Sequence, residues 1–150
     1  SLSGQTKKEL EKRFTGDFYR IEGKIKIPKS YVLQILYLGM FASINSKLKY
    51  KPLEIDFDLY DEVILASPVW AFTIVPFMKK FLYLNPVKNK KVTLLITHEG
   101  APGLALRSFK KRLHKSNTII KTYNLKLGSA YLNSTIYRKK GRGSNEDIKN

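Results

Sequence analysis

Glu62-Val63-Ile64-Leu65-Ala66-Ser67-Pro68-Val69-Trp70 is the stretch on which the fold turns. Its first five residues are short, apolar on successive positions and partly β-branched, which predicts a strand buried on both faces, as strands of a parallel sheet are. Val92-Thr93-Leu94-Leu95-Ile96-Thr97 has the same character. A loop and then a helical pattern follow each run. After the first, Pro76 suits an opening helical position, Phe77 and Phe81 share a face at i and i+4, and Lys79 and Lys80 are expected to point to water. After the second, Ala105, Phe109 and Leu113 form an apolar stripe, and Arg107, Lys110, Lys111 and Lys115 cover the other side. Strand, loop and helix repeated in this way predict a parallel sheet with crossover helices.

Outward from this centre, Gln5 to Phe14 reads as a short helix with Leu10 and Phe14 inward and Glu9 paired with Arg13 on the wet side. Asp17 to Glu22 reads as a strand. Tyr31 to Ile44 reads as a helix that is apolar nearly all round, and therefore packed in the core. Thr118 to Leu127 is the expected last strand, and Ser144-Asn145-Glu146-Asp147 has the form of a helix N-cap. Ser1 to Thr6 has the character of a loop leaving a strand. An apolar first strand is therefore expected upstream of Ser1, and a helix continuing past Asn150.

A chain of 150 residues fits one domain, here 1–150, which buries roughly two thirds of its unfolded surface. With 43% hydrophobic and 27% charged residues it has a globular composition. No apolar run approaches the roughly 18 to 20 residues that span a bilayer, so no membrane span is expected. The absence of cysteine excludes disulfides, thiolate metal sites and cysteine nucleophiles, and the provisional compartment is the cytoplasm. Lys and Arg outnumber Asp and Glu by 28 to 12, a net charge of +16. Such a balance attracts an acidic protein, nucleic acid or an anionic membrane surface. Because the cations are spread along helix faces and loops, and only Arg138-Lys139-Lys140-Gly141-Arg142 forms a dense block, they read mainly as solvated surface, and nucleic acid is not the expected partner.

Three loops carry candidate chemistry. In Ser1-Leu2-Ser3-Gly4-Gln5-Thr6 the hydroxyls, the Gln5 amide and the N–H groups of a helix N-terminus can surround a phosphate, with Gly4 permitting close backbone approach. An ordinary N-capped turn would use the same residues. Without the spaced glycines and lysine it is not a Walker loop. Ser67-Pro68-Val69-Trp70-Ala71-Phe72 carries the one Trp of the chain, which at a strand's carboxyl end can lie flat on a planar ligand or fold back into the core. His98-Glu99-Gly100-Ala101-Pro102-Gly103 leaves the next strand, with two glycines suited to wrapping a ligand. His98 and Glu99 serve equally as ligand contacts or as satisfied polar residues. All three loops fall where doubly wound sheets bind ligands, outside the carboxyl ends of the strands.

Ser-x-Ser-Gly-Gln-Thr at the start, Tyr60-Asp61-Glu62-Val63-Ile64-Leu65-Ala66-Ser67-Pro68-Val69-Trp70, and a Lys90-Lys91-Val92 strand ending in a Gly-rich loop together resemble the flavodoxin family. The resemblance runs from Ser1 to Ser144. It implies an α/β doubly wound sandwich with a five-stranded parallel sheet of order 2-1-3-4-5 and non-covalently bound FMN. The phosphate would rest on Ser1, Ser3, Gly4, Gln5 and Thr6. Pro68, Val69, Trp70 and Ala71 would contact the ring, Trp70 by stacking, and Thr97, His98, Glu99, Gly100 and Gly103 would close its other side.

Gln5 stands where the family usually has Asn, and keeps the amide. The Ser67–Phe72 loop lacks the glycine with which electron carriers of the family flip a peptide toward the flavin, and carriers of the family are typically acidic. Since a positive φ at a non-glycine residue costs about 1 kcal/mol or more, both departures favour a reductase over a carrier. The expected function is an FMN-dependent oxidoreductase moving electrons from NAD(P)H or a protein donor to a quinone or similar acceptor, with the flavin rather than a side chain doing the chemistry. The alternatives are a one-electron carrier docking on an acidic partner, and a basic nucleic-acid- or membrane-binding module built around Arg138, Lys139, Lys140 and Arg142.

Overall fold

Both apolar runs form strands, and both ladders reach beyond the runs themselves. The structure is a computed structural model, and it describes residues 4–22, 51 and 53–128. In chain order the elements are α1 (Gln5–Glu11), a 3-10 turn (Phe57–Leu59), β1 (Glu62–Trp70), β2 (Thr73–Ile74), α2 (Pro76–Leu84), β3 (Lys91–His98), α3 (Ala105–Arg112) and β4 (Thr118–Lys126). The four strands form one sheet in the order β2-β1-β3-β4.

β1 runs parallel to β3 from Glu62 against Lys91 to Pro68 against Thr97, and β3 runs parallel to β4. β2 is antiparallel to β1, pairing Val69 with Ile74 and Trp70 with Thr73. The described sheet is therefore mixed and four-stranded, where five parallel strands were expected. The cause is local: Ser67–Trp70 continue the strand instead of forming a loop, and a two-residue turn, Ala71–Phe72, returns the chain beside it. Strands joined so tightly can only be antiparallel. Both turn residues have positive φ, 44° at Ala71 and 62° at Phe72, as a type I′ hairpin requires. The scarcity of such angles outside glycine therefore does not keep this turn from adopting them.

Every residue of β3 after Lys91 is buried, as its apolar run predicts. β1 departs from that expectation, since only Leu65 and Ser67 are fully buried. Among the described residues, β3 pairs with its residues 62–68 and β2 with Val69 and Trp70. β4 forms the other edge of the described sheet, with Ile119 and Ile120 exposed and a register shift opposite Val92/Thr93. Such an irregularity twists an edge and blunts further pairing.

Strand alternation sorts the layers. Val92, Leu94 and Ile96 of β3 and Leu65 of β1 pack with Met78, Phe81 and Leu82 of α2 and with Ala105 and Phe109 of α3. These two helices therefore share one face. Thr93, Leu95 and Thr97 lie on the opposite face, and Thr6 of α1 meets Thr97 there.

α2 opens with Pro76 at its first turn after Val75, whose N–H donates to the buried Ser67 Oγ at 3.2 Å. Lys79 does not point to water; only 7% of it is exposed, against the inner side of the helix. Its ammonium is held below the ordinary lysine range by burial first and by the Arg112 charge second. Asp17 to Glu22 forms no strand. Tyr60 Oη donates to Asp17 Oδ2 at 2.8 Å, the Tyr19 and Tyr60 hydroxyls pair at 2.8 Å, and Lys51 N–H donates to Glu22 O at 3.0 Å. The expected helix over 31–44, the cap at Ser144 and the Arg138–Arg142 block lie outside the described residues.

Candidate functional site

Gly4 enters α1 at φ 72°, a left-handed conformation that glycine adopts without strain, and no side chain caps the helix. The chain thus reaches α1 with the amides of its first turn directed away from the helix body. One residue on, the sheet fixes the position of this turn: Thr6 is buried, and its Oγ1 lies 2.7 Å from Thr97 Oγ1 at the end of β3. Ser1 and Ser3 lie outside the described residues.

Pro68 stands beside Thr97 in the β1–β3 ladder, and alternation puts Trp70 on the same face as Pro68 and Thr97. Trp70 is half-buried, neither sealed in the core nor fully in solvent. Val69 faces the other way and packs against the core beneath the helices.

The hairpin turn after Trp70 is tied to the loop that leaves β3. Leu104 N–H donates to Phe72 O at 2.7 Å. Gly103, at φ 52°, lies so close that a Cβ there would fall 2.6 Å from Phe72 Cβ and O. Only glycine satisfies both the angle and the approach. His98 is nearly buried, and its Nδ1–H donates to Gly100 O at 2.9 Å, which puts the proton of the neutral ring on Nδ1 and leaves Nε2 as the acceptor. Glu99 and Gly100 are exposed. His98 O accepts from Leu127 N–H at 2.7 Å, which brings the end of β4 to the same edge.

The three loops therefore converge on the carboxyl edge of the sheet. Thr6 meets Thr97 on the face that also carries Pro68 and Trp70, and Gly103 lies against Phe72, next to Ala71. His98 and Val69 are carried toward the other face. Beside Gln5 opens a cleft of about 210 Å³, lined also by Lys8, Glu9, Lys12, Leu127 and Gly128. Arg13, and then Lys12, hold the Glu9 carboxyl below the usual carboxylate range, so that acid is matched by its own helix while Lys8 leaves the rim basic. The cleft is smaller than the roughly 300–1,000 Å³ of most small-molecule sites. Its size suits one polar group of a ligand rather than a whole cofactor.

Leu127 and Gly128 are not among the site residues expected from sequence, where Leu127 appears only as the end of the last strand. The signal for them was positional, because they follow the last strand at the edge where such sheets bind ligands. The Phe72–Gly103 contact is encoded by no local pattern. Among the described residues no cluster of His, Cys, Asp and Glu is arranged to hold a metal ion. No described helix is long and apolar enough to cross a membrane.

The sequence matches no family model, and no curated protein matches it. Among solved structures, the chain is similar to a flavoprotein from Lactobacillus acidophilus NCFM that was crystallised in complex with FMN. The TM-score is 0.60, with 20% sequence identity over 83% of this chain and 87% of that one. At this identity the likeness shows the fold alone, an α/β architecture.

Proposed function

We propose that the chain binds FMN without a covalent bond at the carboxyl edge and works as an oxidoreductase, taking electrons from NAD(P)H or a protein donor and passing them to a quinone or similar acceptor. The observation that carries this reading is the convergence of the three loops, with Thr6 bonded to Thr97 and Phe72 bonded to Leu104, both at 2.7 Å. The fold shared with an FMN-complexed flavoprotein supports it.

The donor set fits the cofactor. Uncapped amides at Gly4–Thr6 with the Gln5 side chain suit a phosphate, and the serines at 1 and 3 would complete its shell. The half-buried Pro68 and Trp70, with the exposed Ala71 after them, would offer a wall for a ring. Thr97, Glu99, Gly100 and Gly103 would border its other side, with Val69 and His98 supporting the wall from behind. FMN would supply the redox chemistry, and the chain would bind the phosphate, orient the ring and shield one of its faces. The Thr6–Thr97 bond sets the distance between the phosphate turn and the ring wall.

A one-electron carrier remains the second reading, and the hairpin turn favours it. Ala71 and Phe72 already sit at positive φ, so the steric objection to a carrier at this turn falls away. The basic nucleic-acid- or membrane-binding module would rest on Arg138–Arg142, outside the described residues. Absorption spectra of the purified protein, with FMN titration and anaerobic potentiometry, test these readings. A yellow protein reduced in a single two-electron step supports the reductase, and two separated one-electron steps support the carrier. A colourless protein that binds no added FMN ends both.

A further inference from the structure

Two apolar side chains stand in solvent beside the site: Phe72, 68% exposed, and Leu104, 61% exposed. They are held together, because Leu104 N–H bonds to Phe72 O and Gly103 packs against the Phe72 backbone. The turn that presents Phe72 uses two positive-φ residues where Asn-Gly would be unstrained, so the hairpin accepts strain and exposes an aromatic ring together. Rigidly held, exposed apolar groups of this kind form the centres of protein interfaces.

A basic stripe continues from the knob. Arg107 and Lys111 lie three and seven residues after Leu104, on the same side of α3, with Lys110 adjoining, and all three are exposed. Ion pairs among the described residues include Lys7–Glu11, Lys12–Glu9 and Arg13–Glu9 on and just after α1, Arg20–Glu22 and Lys90–Asp58, and none of these places a carboxylate on the stripe. Glu99 is the one acid in the neighbouring loop.

We propose that Phe72 and Leu104, with Arg107, Lys110 and Lys111, form the docking surface for an acidic protein that exchanges electrons with the site. Its contact face would carry an apolar pocket rimmed by carboxylates. The electron-exchange part rests on the FMN reading above; the docking part does not. Complementary charge argues for the acidic rim in a chain of net charge +16. The apolar centre argues for a protein, since two side chains are too few to anchor to a bilayer and a phosphate backbone offers no pocket for them.

The test is isothermal calorimetry of the full chain with an acidic [2Fe–2S] ferredoxin as probe, a readout that needs no flavin. Binding is expected at low salt and should weaken roughly tenfold as salt rises from about 50 to about 300 mM. Phe72→Gly removes the knob while suiting the turn's positive φ, and should weaken binding roughly tenfold. Arg107→Glu with Lys111→Glu should do the same and flatten the salt dependence, with the denaturation midpoint and FMN affinity unchanged. No ferredoxin binding, binding that ignores all of these substitutions, or tighter binding to duplex DNA or anionic vesicles overturns the proposal. Failure to bind FMN overturns the cofactor reading alone, and calorimetry still decides the docking surface.

Discussion

The Oγ1 atoms of Thr6 and Thr97 lie 2.7 Å apart in a buried hydrogen bond between residues 91 positions apart in the chain. It joins the first turn of α1 to the end of β3, across the layer boundary on which the proposed site stands. Thr6→Val or Thr97→Val leaves the other hydroxyl buried without its partner, at a cost of about 1–3 kcal/mol. Urea denaturation of both single variants and the double variant should show a coupling, with the double variant less destabilised than the sum. Strict additivity would mean that the bond contributes nothing.

Gly103 and Phe72 make the second long-range contact. Gly103→Ala combines a positive φ with a Cβ directed at the Phe72 backbone, and should cost about 2 kcal/mol or more. Ala71→Asn places a residue favoured in type I′ turns at φ 44° and should raise stability by about 0.5 kcal/mol. Opposite signs for the two variants in one thermal melt series are expected. A neutral Gly103→Ala would show that the loops are not packed this closely.

Lys79 gives stability a pH dependence of known sign. Burial and Arg112 lower its folded pKa below the ordinary value of 10.5, so the unfolded chain binds the proton more tightly. Its charge therefore destabilises the fold in full below the folded pKa, and that penalty is relieved as pH rises from the folded pKa toward 10.5. Lys79→Met should be more stable than the parent at neutral pH, with the difference shrinking toward pH 10.5. A gap that widens with pH would reverse the assignment.

Trp70 is the single tryptophan of the chain, so its fluorescence reports on its surroundings alone. Under the proposed function, FMN should quench this emission on binding. Trp70→Ala should lose about 0.5–1.5 kcal/mol of stacking, a roughly two- to twelvefold rise in Kd. Saturable FMN binding with unchanged indole emission would place the ring elsewhere.

By itself, the sequence determined the elements whose signal is local. The apolar run at Val92–Thr97 yields a buried strand, Pro76 opens a helix, and the stripe of Ala105 and Phe109 turns inward, because side-chain period and fixed φ act within a few residues. The candidate loops were legible in the same way, as turn chemistry at strand ends. Tertiary structure alone decided what depends on neighbours. Ser67–Trp70 became strand because β3 and β2 offer them ladders. Lys79 of α2 is buried although the Arg112 charge opposes its own, and Gly103 became irreplaceable only when the hairpin turn closed against it. A ladder register or a close backbone approach joins segments tens of residues apart, and no window of sequence contains both halves of such a contact.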